Sequence, residues 1–185
     1  MIRATLVLLV LAAALPASAQ EVLRGKAAQR LMFKPEGSRL EIVAKGGLSE
    51  ANLSALSMVG KDQPYYGAIA ISPDEGLMVD ATVAAVNYHG TEAAEAAALK
   101  GCEAARKGKA ACLVIGLIRP DGWEPRALQL SQDATRALRG DYKAPGALAI
   151  SATTGHFGLG ADAGAAVAAC EAGAKPGDCR VVVQD

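Results

Sequence analysis

The hydrophobic pattern divides this chain into an opening apolar run and two stretches in which the same short patterns return in the same order. Residues 6–15 are apolar without interruption, with Arg3 ahead of them, Pro16 behind, and Ala17-Ser18-Ala19 next. A positive start, a short apolar stretch and a small-residue cleavage site predict a secretory signal over residues 1–19. Ten such residues rise only about 15 Å as a helix, half the hydrocarbon thickness of a bilayer. No second run of this kind follows, so export without stable membrane insertion is expected.

Beyond the signal the pattern is written twice. Gly67-Ala68-Ile69-Ala70-Ile71-Ser72 returns as Gly146-Ala147-Leu148-Ala149-Ile150-Ser151, and a Gly stands four residues after each Ser, at Gly76 and Gly155. Cys102-Glu103-Ala104 returns as Cys170-Glu171-Ala172, and Cys112-Leu113-Val114-Ile115 as Cys179-Arg180-Val181-Val182. Upstream, Lys34-Pro35-Glu36-Gly37 matches Arg119-Pro120-Asp121-Gly122, and 48–56 matches 130–138. Self-similarity in this order predicts two related units, 22–109 and 110–185, forming two small lobes or one domain with a pseudo-twofold axis. The copies differ in one place. Twenty-six positions lead from Gly76 to Cys102 but fifteen from Gly155 to Cys170, so the first unit has an eleven-residue excess.

Local signals give one unit its elements. Pro-acid-Gly is a tight-turn signature, and the flanks, 31–33 with 40–44 and 113–118 with 127–130, read as hairpins. Ser49 and Ser131 stand at helix N-cap positions, ahead of short helices ending near Met58 and Arg139. The Gly-Ala-x-Ala-Ile-Ser run reads as a strand of small residues. Ser72-Pro73-Asp74-Glu75-Gly76 turns it back into 77–86. Thr91 can cap the next helix, whose Ala-rich body suits both high helix propensity and close packing on a strand of Gly and Ala. Its counterpart begins at Asp162 and ends near Gly173.

Composition sharpens this reading. The 19 basic and 19 acidic side chains cancel, which removes the basic footprint that nucleic-acid binding requires. With 51% hydrophobic and 4% aromatic residues, the chain folds around Ala, Val, Leu and Ile. Four cysteines in an exported chain favour disulfides over zinc. Spacing alone leaves three pairings open, and the repeat selects among them. In each unit the first Cys lies late in a helix and the second opens the following strand, so Cys102–Cys112 and Cys170–Cys179 are expected. A loop of this length stabilises by roughly 2.5–3 kcal/mol in the chain-entropy model.

An aromatic-Gly-Ala-x-Ala strand, an Ala-rich helix ending in Cys and a second Cys opening a Val-rich strand resemble a family of small secreted bacterial domains known only as a domain of unknown function. Residues 66–71, 92–102 and 112–115 carry the resemblance. It recurs at 146–150, 162–170 and 179–183, where Pro145 stands in place of the aromatic. The resemblance implies export and the disulfide, and no reaction.

The residues capable of chemistry are few. His89 and His156 occupy unmatched positions, and neither has a second ligand at metal-binding spacing, so no metal site and no cofactor are expected. Asn87-Tyr88-His89-Gly90 reads as a surface loop ahead of a helix. Gly158-Leu159-Gly160, running into Asp162 and Gly164, has some likeness to a dinucleotide-binding loop, but its strand belongs to a hairpin rather than to a βαβ unit. Ser72 and Ser151 precede turns, with no nucleophile-elbow spacing around them. Asp74, Glu75 and Asp80 form the densest acidic group. Tyr65, Tyr66, Tyr88 and Trp123 would make an interaction patch if exposed together.

The sequence therefore predicts an α+β protein of two related hairpin–helix–strand units in antiparallel or mixed sheets, with one disulfide each, located in the periplasm or outside the cell. Its expected role is a non-enzymatic binding or structural module for a protein, an envelope component or a small ligand. The alternative is a small periplasmic hydrolase or transferase using Ser72, Asp80 and His89 on the 76–102 segment.

Overall fold

The alternation of small and branched residues along one strand organises each half of the molecule. The structure, a computed structural model, describes residues 21–174 and 177–185. The signal expected over 1–19 lies outside them. In the first lobe β1 (Ser38–Ile42), β4 (Leu113–Pro120), β2 (Gly67–Ile71) and β3 (Val83–Ala85) hydrogen-bond in that spatial order, every pair antiparallel. In the second the order is β6 (Phe157–Gly160), β5 (Ala147–Ser151) and β7 (Cys179–Gln184), again antiparallel. The helices among the described residues are α1 (Gly25–Leu31), α2 (Glu50–Gly60), α3 (Thr91–Ala105), α4 (Gln132–Gly140) and α5 (Ala163–Glu171). The fold is α+β, as expected.

Successive side chains of a strand point to opposite faces. In β2 this sends Ala68 and Ala70 to one face, where Ala94, Ala98 and Cys102 of α3 lie on them. It sends Ile69 and Ile71 to the other face, where they meet Ile115 and Ile118 and the flanking Leu40, Leu56 and Leu77. In β5, Ala147 and Ala149 meet Ala166 and Cys170 of α5. Leu148 and Ile150 face Ala28 of α1 and Leu138 of α4, with Val183 of β7 in the same cluster. Each central strand also slips register at the same place, between Ile69 and Ala70 and between Leu148 and Ala149. The extra residue opposite is Ile115 in β4 and Val182 in β7, and both are buried.

The cysteines join as expected: Cys102–Cys112 and Cys170–Cys179 each tie a helix to the strand that follows, with Cα atoms 6.1 Å apart in both. Ser49 and Ser131 cap α2 and α4 by accepting the Asn52 and Ala134 amides, and Asp162 caps α5 through the Ala165 amide. At α3 the expectation shifts by one residue. Gly90 is the N-cap, and Thr91 is the first helical residue.

Two expectations are corrected. The hairpins placed around the Pro-acid-Gly turns do not form. Instead β1 pairs with β4, Ser38 opposite Pro120, and the two turns meet each other, with the Asp121 amide donating to the Gly37 carbonyl at 3.3 Å. Gly37 and Gly122 take φ values of +83° and +67°, which glycine adopts without a Cβ penalty. The division at 109/110 likewise does not follow the sheets. β4 lies beyond it yet is central to the first sheet.

The residues ahead of β1 belong to the second lobe. The Leu23 amide donates to Val182 O at 3.0 Å, and the Gln184 amide to Leu23 O at 2.9 Å. The Gly25 amide reaches the Asp185 carboxylate at 3.1 Å. Ala28 and Met32 sit in the core with Leu138, Leu148 and Val183. The carbonyls that follow are taken by side chains. Arg126 donates to Leu31 O, Arg139 to Met32 O and Phe33 O, Tyr65 to Lys34 O, and Gln132 and Arg136 to Pro35 O. This arm, 21–35, explains why 31–33 is unavailable to a hairpin.

Helix α5 lies so close on β6 that a Cβ at Gly158 would collide with the Cys170 amide nitrogen and the Ala166 carbonyl oxygen. Gly158→Ala is therefore expected to destabilise the protein by at least about 2 kcal/mol, read as a lower urea midpoint. Gly76→Ala lacks such a collision, although Gly76 has φ +77°, and is expected to cost only about 1 kcal/mol.

Candidate functional site

A buried imidazole stands where the two lobes meet. His89 lies between β3 and α3, on a segment turned by Asn87, whose φ is +66°. The Asn87 side chain reaches across to the first turn of α4, donating to Asp133 Oδ2 at 2.6 Å and accepting the Asp133 amide at 3.3 Å. This aims His89 between two elements of the second lobe. Its Nδ1 accepts the Ser131 amide at 3.0 Å, and its Nε2 lies 2.9 Å from the His156 carbonyl oxygen. An amide can only donate and a carbonyl only accept, so the proton resides on Nε2. Only 9% of the residue is exposed. Burial holds the imidazole down at about pKa 4, against the opposing pull of the His156 carbonyl and the Asp178 charge. The surface loop expected around His89 is thus an inter-lobe bridge, because its partners lie 42 and 67 residues away in the chain.

Two clefts flank this bridge. The larger, about 600 Å³, is lined by His89 and Glu92 from the first lobe, Arg126 and Gln129 from the connecting segment, and Arg180 and Glu21 from the second lobe and its arm. The Arg126 guanidinium stacks 3.5 Å above the Phe33 ring and donates to Glu124 at 3.0 Å. The smaller cleft, about 470 Å³, opens on the other side among Asn87, Tyr88, Asp133 and His156.

The residues weighed for catalysis do not come together. Ser72 is fully buried and donates to Asp74 Oδ1 at 2.9 Å. Asp74 also accepts the Lys109 and Ala110 amides, and Glu75 the Lys107 and Gly108 amides. The Ser72 hydroxyl and these amides hold the Asp74 carboxyl below the usual carboxylate range. Asp80 is exposed. No hydrogen bond among the described residues joins any two of Ser72, Asp80 and His89. Ser151 mirrors Ser72 with the carboxylate on the opposite side. It donates to Asp178 Oδ1 at 2.7 Å, while Asp178 accepts the Thr153 amide. In both lobes a Ser–Asp pair latches the turn after the central strand to the loop between the cysteines.

The aromatics form no exposed patch. Tyr65 and Tyr66 are each 1% exposed and meet edge to face, 5.5 Å between centroids. Burial pushes the Tyr66 hydroxyl above the usual tyrosine range, with the Trp123 indole offsetting it in part. Tyr88 packs beside the α3 core, and Trp123 lies under the Arg119 guanidinium at 4.0 Å. Sequence reasoning missed Arg126, Gln129 and Arg180, which stand singly without a spacing signal. It also missed the arm, for which a signal exists: Ala28, Leu31 and Met32 fall at helical spacing.

No group of three or more His, Cys, Asp or Glu among the described residues is placed to hold a metal ion. No described helix is long and apolar enough to cross a membrane. No family model, curated protein or solved structure matches the chain.

The bridge predicts a pH signature. Between pH 6.5 and about 4 the unfolded chain takes up a proton that folded His89 refuses, so stability is whole above 6.5 and falls as pH falls. The loss proceeds at about 1.4 kcal/mol per unit and levels off near roughly 3 kcal/mol. Urea denaturation at pH 7 and pH 5 is expected to show about 2 kcal/mol of this loss in the native chain. His89→Gln should lack it, and an equal loss in both proteins would remove His89 as its source.

Proposed function

We propose that the protein is a periplasmic or secreted, non-enzymatic binding module made of two copies of one structural unit, and that the larger inter-lobe cleft is its ligand site. One observation carries this reading. The imidazole in the cleft wall has both ring nitrogens committed to backbone groups of the other lobe, so it braces the cleft and is not available as a base. Around the opening stand polar groups of both signs, namely two carboxylates, the Gln129 amide and two guanidiniums, that of Arg126 already held by Leu31 O, Glu124 and the Phe33 ring. Side chains of both signs favour a small polar ligand that carries both charges. The two disulfides suit an oxidising compartment, and the likeness to small secreted domains agrees with that location. The hydrolase or transferase reading has less support, because Ser72 and His89 are engaged with different partners.

The test is amide chemical-shift mapping of the chain from residue 20 onward with free amino acids and dipeptides as probes. Saturable shifts centred on His89, Gly90 and Gln129, weakened several-fold by Gln129→Ala, are expected. Shifts elsewhere, or none at millimolar probe, would remove the cleft from consideration. Hydrolysis of p-nitrophenyl esters that disappears in Ser72→Ala or His89→Gln would establish the enzymatic alternative instead.

A further inference from the structure

Helix α2 carries apolar residues on the side its own lobe does not use. Leu53 and Gly60 are buried and Leu56 packs into the isoleucine cluster of the first sheet. On the outer side Ala51, Ser54, Ala55, Met58 and Val59 are all exposed, Met58 at 66% and Val59 at 59%. Their spacing is i, i+3, i+4, i+7 and i+8, a second stripe at helical period. Solvent-facing helices usually carry Lys or Glu there, and the only charged residue in α2 is Glu50. Beside the helix, Leu77 packs into the same cluster as Leu56. The next residue, Met78, has φ +64° and is 97% exposed. A left-handed backbone thus presents a large apolar side chain to solvent, and nothing in its own lobe covers it.

We propose that this face is the contact between two copies of the chain, with α2 packed antiparallel on α2 about a twofold axis at Ala55. The sequence of the face is self-complementary in that arrangement. Ser54 and Ala55 meet at the crossing, where small side chains permit close approach. Met58 and Val59 of each copy fall against Ala51 and Asn52 of the other. Glu50 at the start of one helix comes opposite Lys61 just beyond the end of the other, and the twofold makes that pair twice. Both residues are exposed, and among the described residues Glu50 is paired with the exposed Lys45. A membrane surface suits the face less well, because Lys45 and Lys61 beside it are offset by Glu50 and Asp62, leaving no net positive rim. One short helix per copy lies at the small end of interface sizes, so the dimer is reversible, with dissociation in roughly the micromolar range. This inference is independent of the cleft and stands or falls without it.

Sedimentation equilibrium of the chain from residue 20 onward, between micromolar and millimolar concentrations, is the test. The average mass should rise toward twice the monomer mass. Ala55→Glu and Met58→Asp, both at exposed positions, should keep it at the monomer value while circular dichroism and melting stay unchanged. Glu50→Lys alone and Lys61→Glu alone should each weaken association by about tenfold, and the double reversal should restore it. A native chain that stays monomeric throughout overturns the proposal. So does a dimer indifferent to Ala55→Glu, or a monomer that instead co-sediments with phosphatidylglycerol vesicles through Met58 and Met78.

Discussion

The fold rests on the fit between a strand of alternating Ala and branched residues and an Ala-rich helix laid across its Ala side. A helix can approach a sheet only as closely as the side chains between them allow. Where those are methyl groups, as at Ala68, Ala70, Ala94 and Ala98, the two backbones come together without large core residues. The second lobe takes this further. At Gly158 and Gly160 even a methyl group would collide with the backbone of α5. Such thin cores bury little area per residue. Each is reinforced by a disulfide at the far end of the same helix, which limits how far that helix can lift from its sheet.

The lobes are joined by polar groups of specific geometry beside a seam where the buried Tyr65 and Tyr66 lie against Met32, Phe33, Leu128 and Leu130. His89 and Asn87 meet partners on or beside α4, and the Tyr65 hydroxyl of the first lobe donates to Lys34 O of the arm. A hydrogen bond between buried groups is costly to break and leave unpaired. The seam therefore favours one orientation of the two halves. The same commitment occupies both ring nitrogens of His89.

Much of this architecture was legible in the chain. The recurrence of Gly-Ala-x-Ala and of Cys-Glu-Ala located the central strands, the helices and the disulfide partners. Those features depend on neighbours in sequence or on an internal copy. What escaped depends on distant partners. A turn does form after Pro120, closed by the Trp123 amide on the Pro120 carbonyl, but a turn does not say which strand lies beside it, and β1 chose β4 over its own neighbour. The burial of His89 follows from Ser131 and His156, which no local signal connects to it. Arg126 and Arg180 became cleft residues only through the closure of the two lobes.

The arm at 21–35 also brings the two ends of the described chain together, since Leu23 lies on Val183 and Gly25 on Asp185. The second core has one wall made from residues 23–32 and another from Val182 and Val183. That core is complete only when Ala28 and Met32 pack with Val182 and Val183. The first lobe, contained within 38–120, is free to close earlier. The second core therefore depends on contacts up to 160 residues apart in sequence.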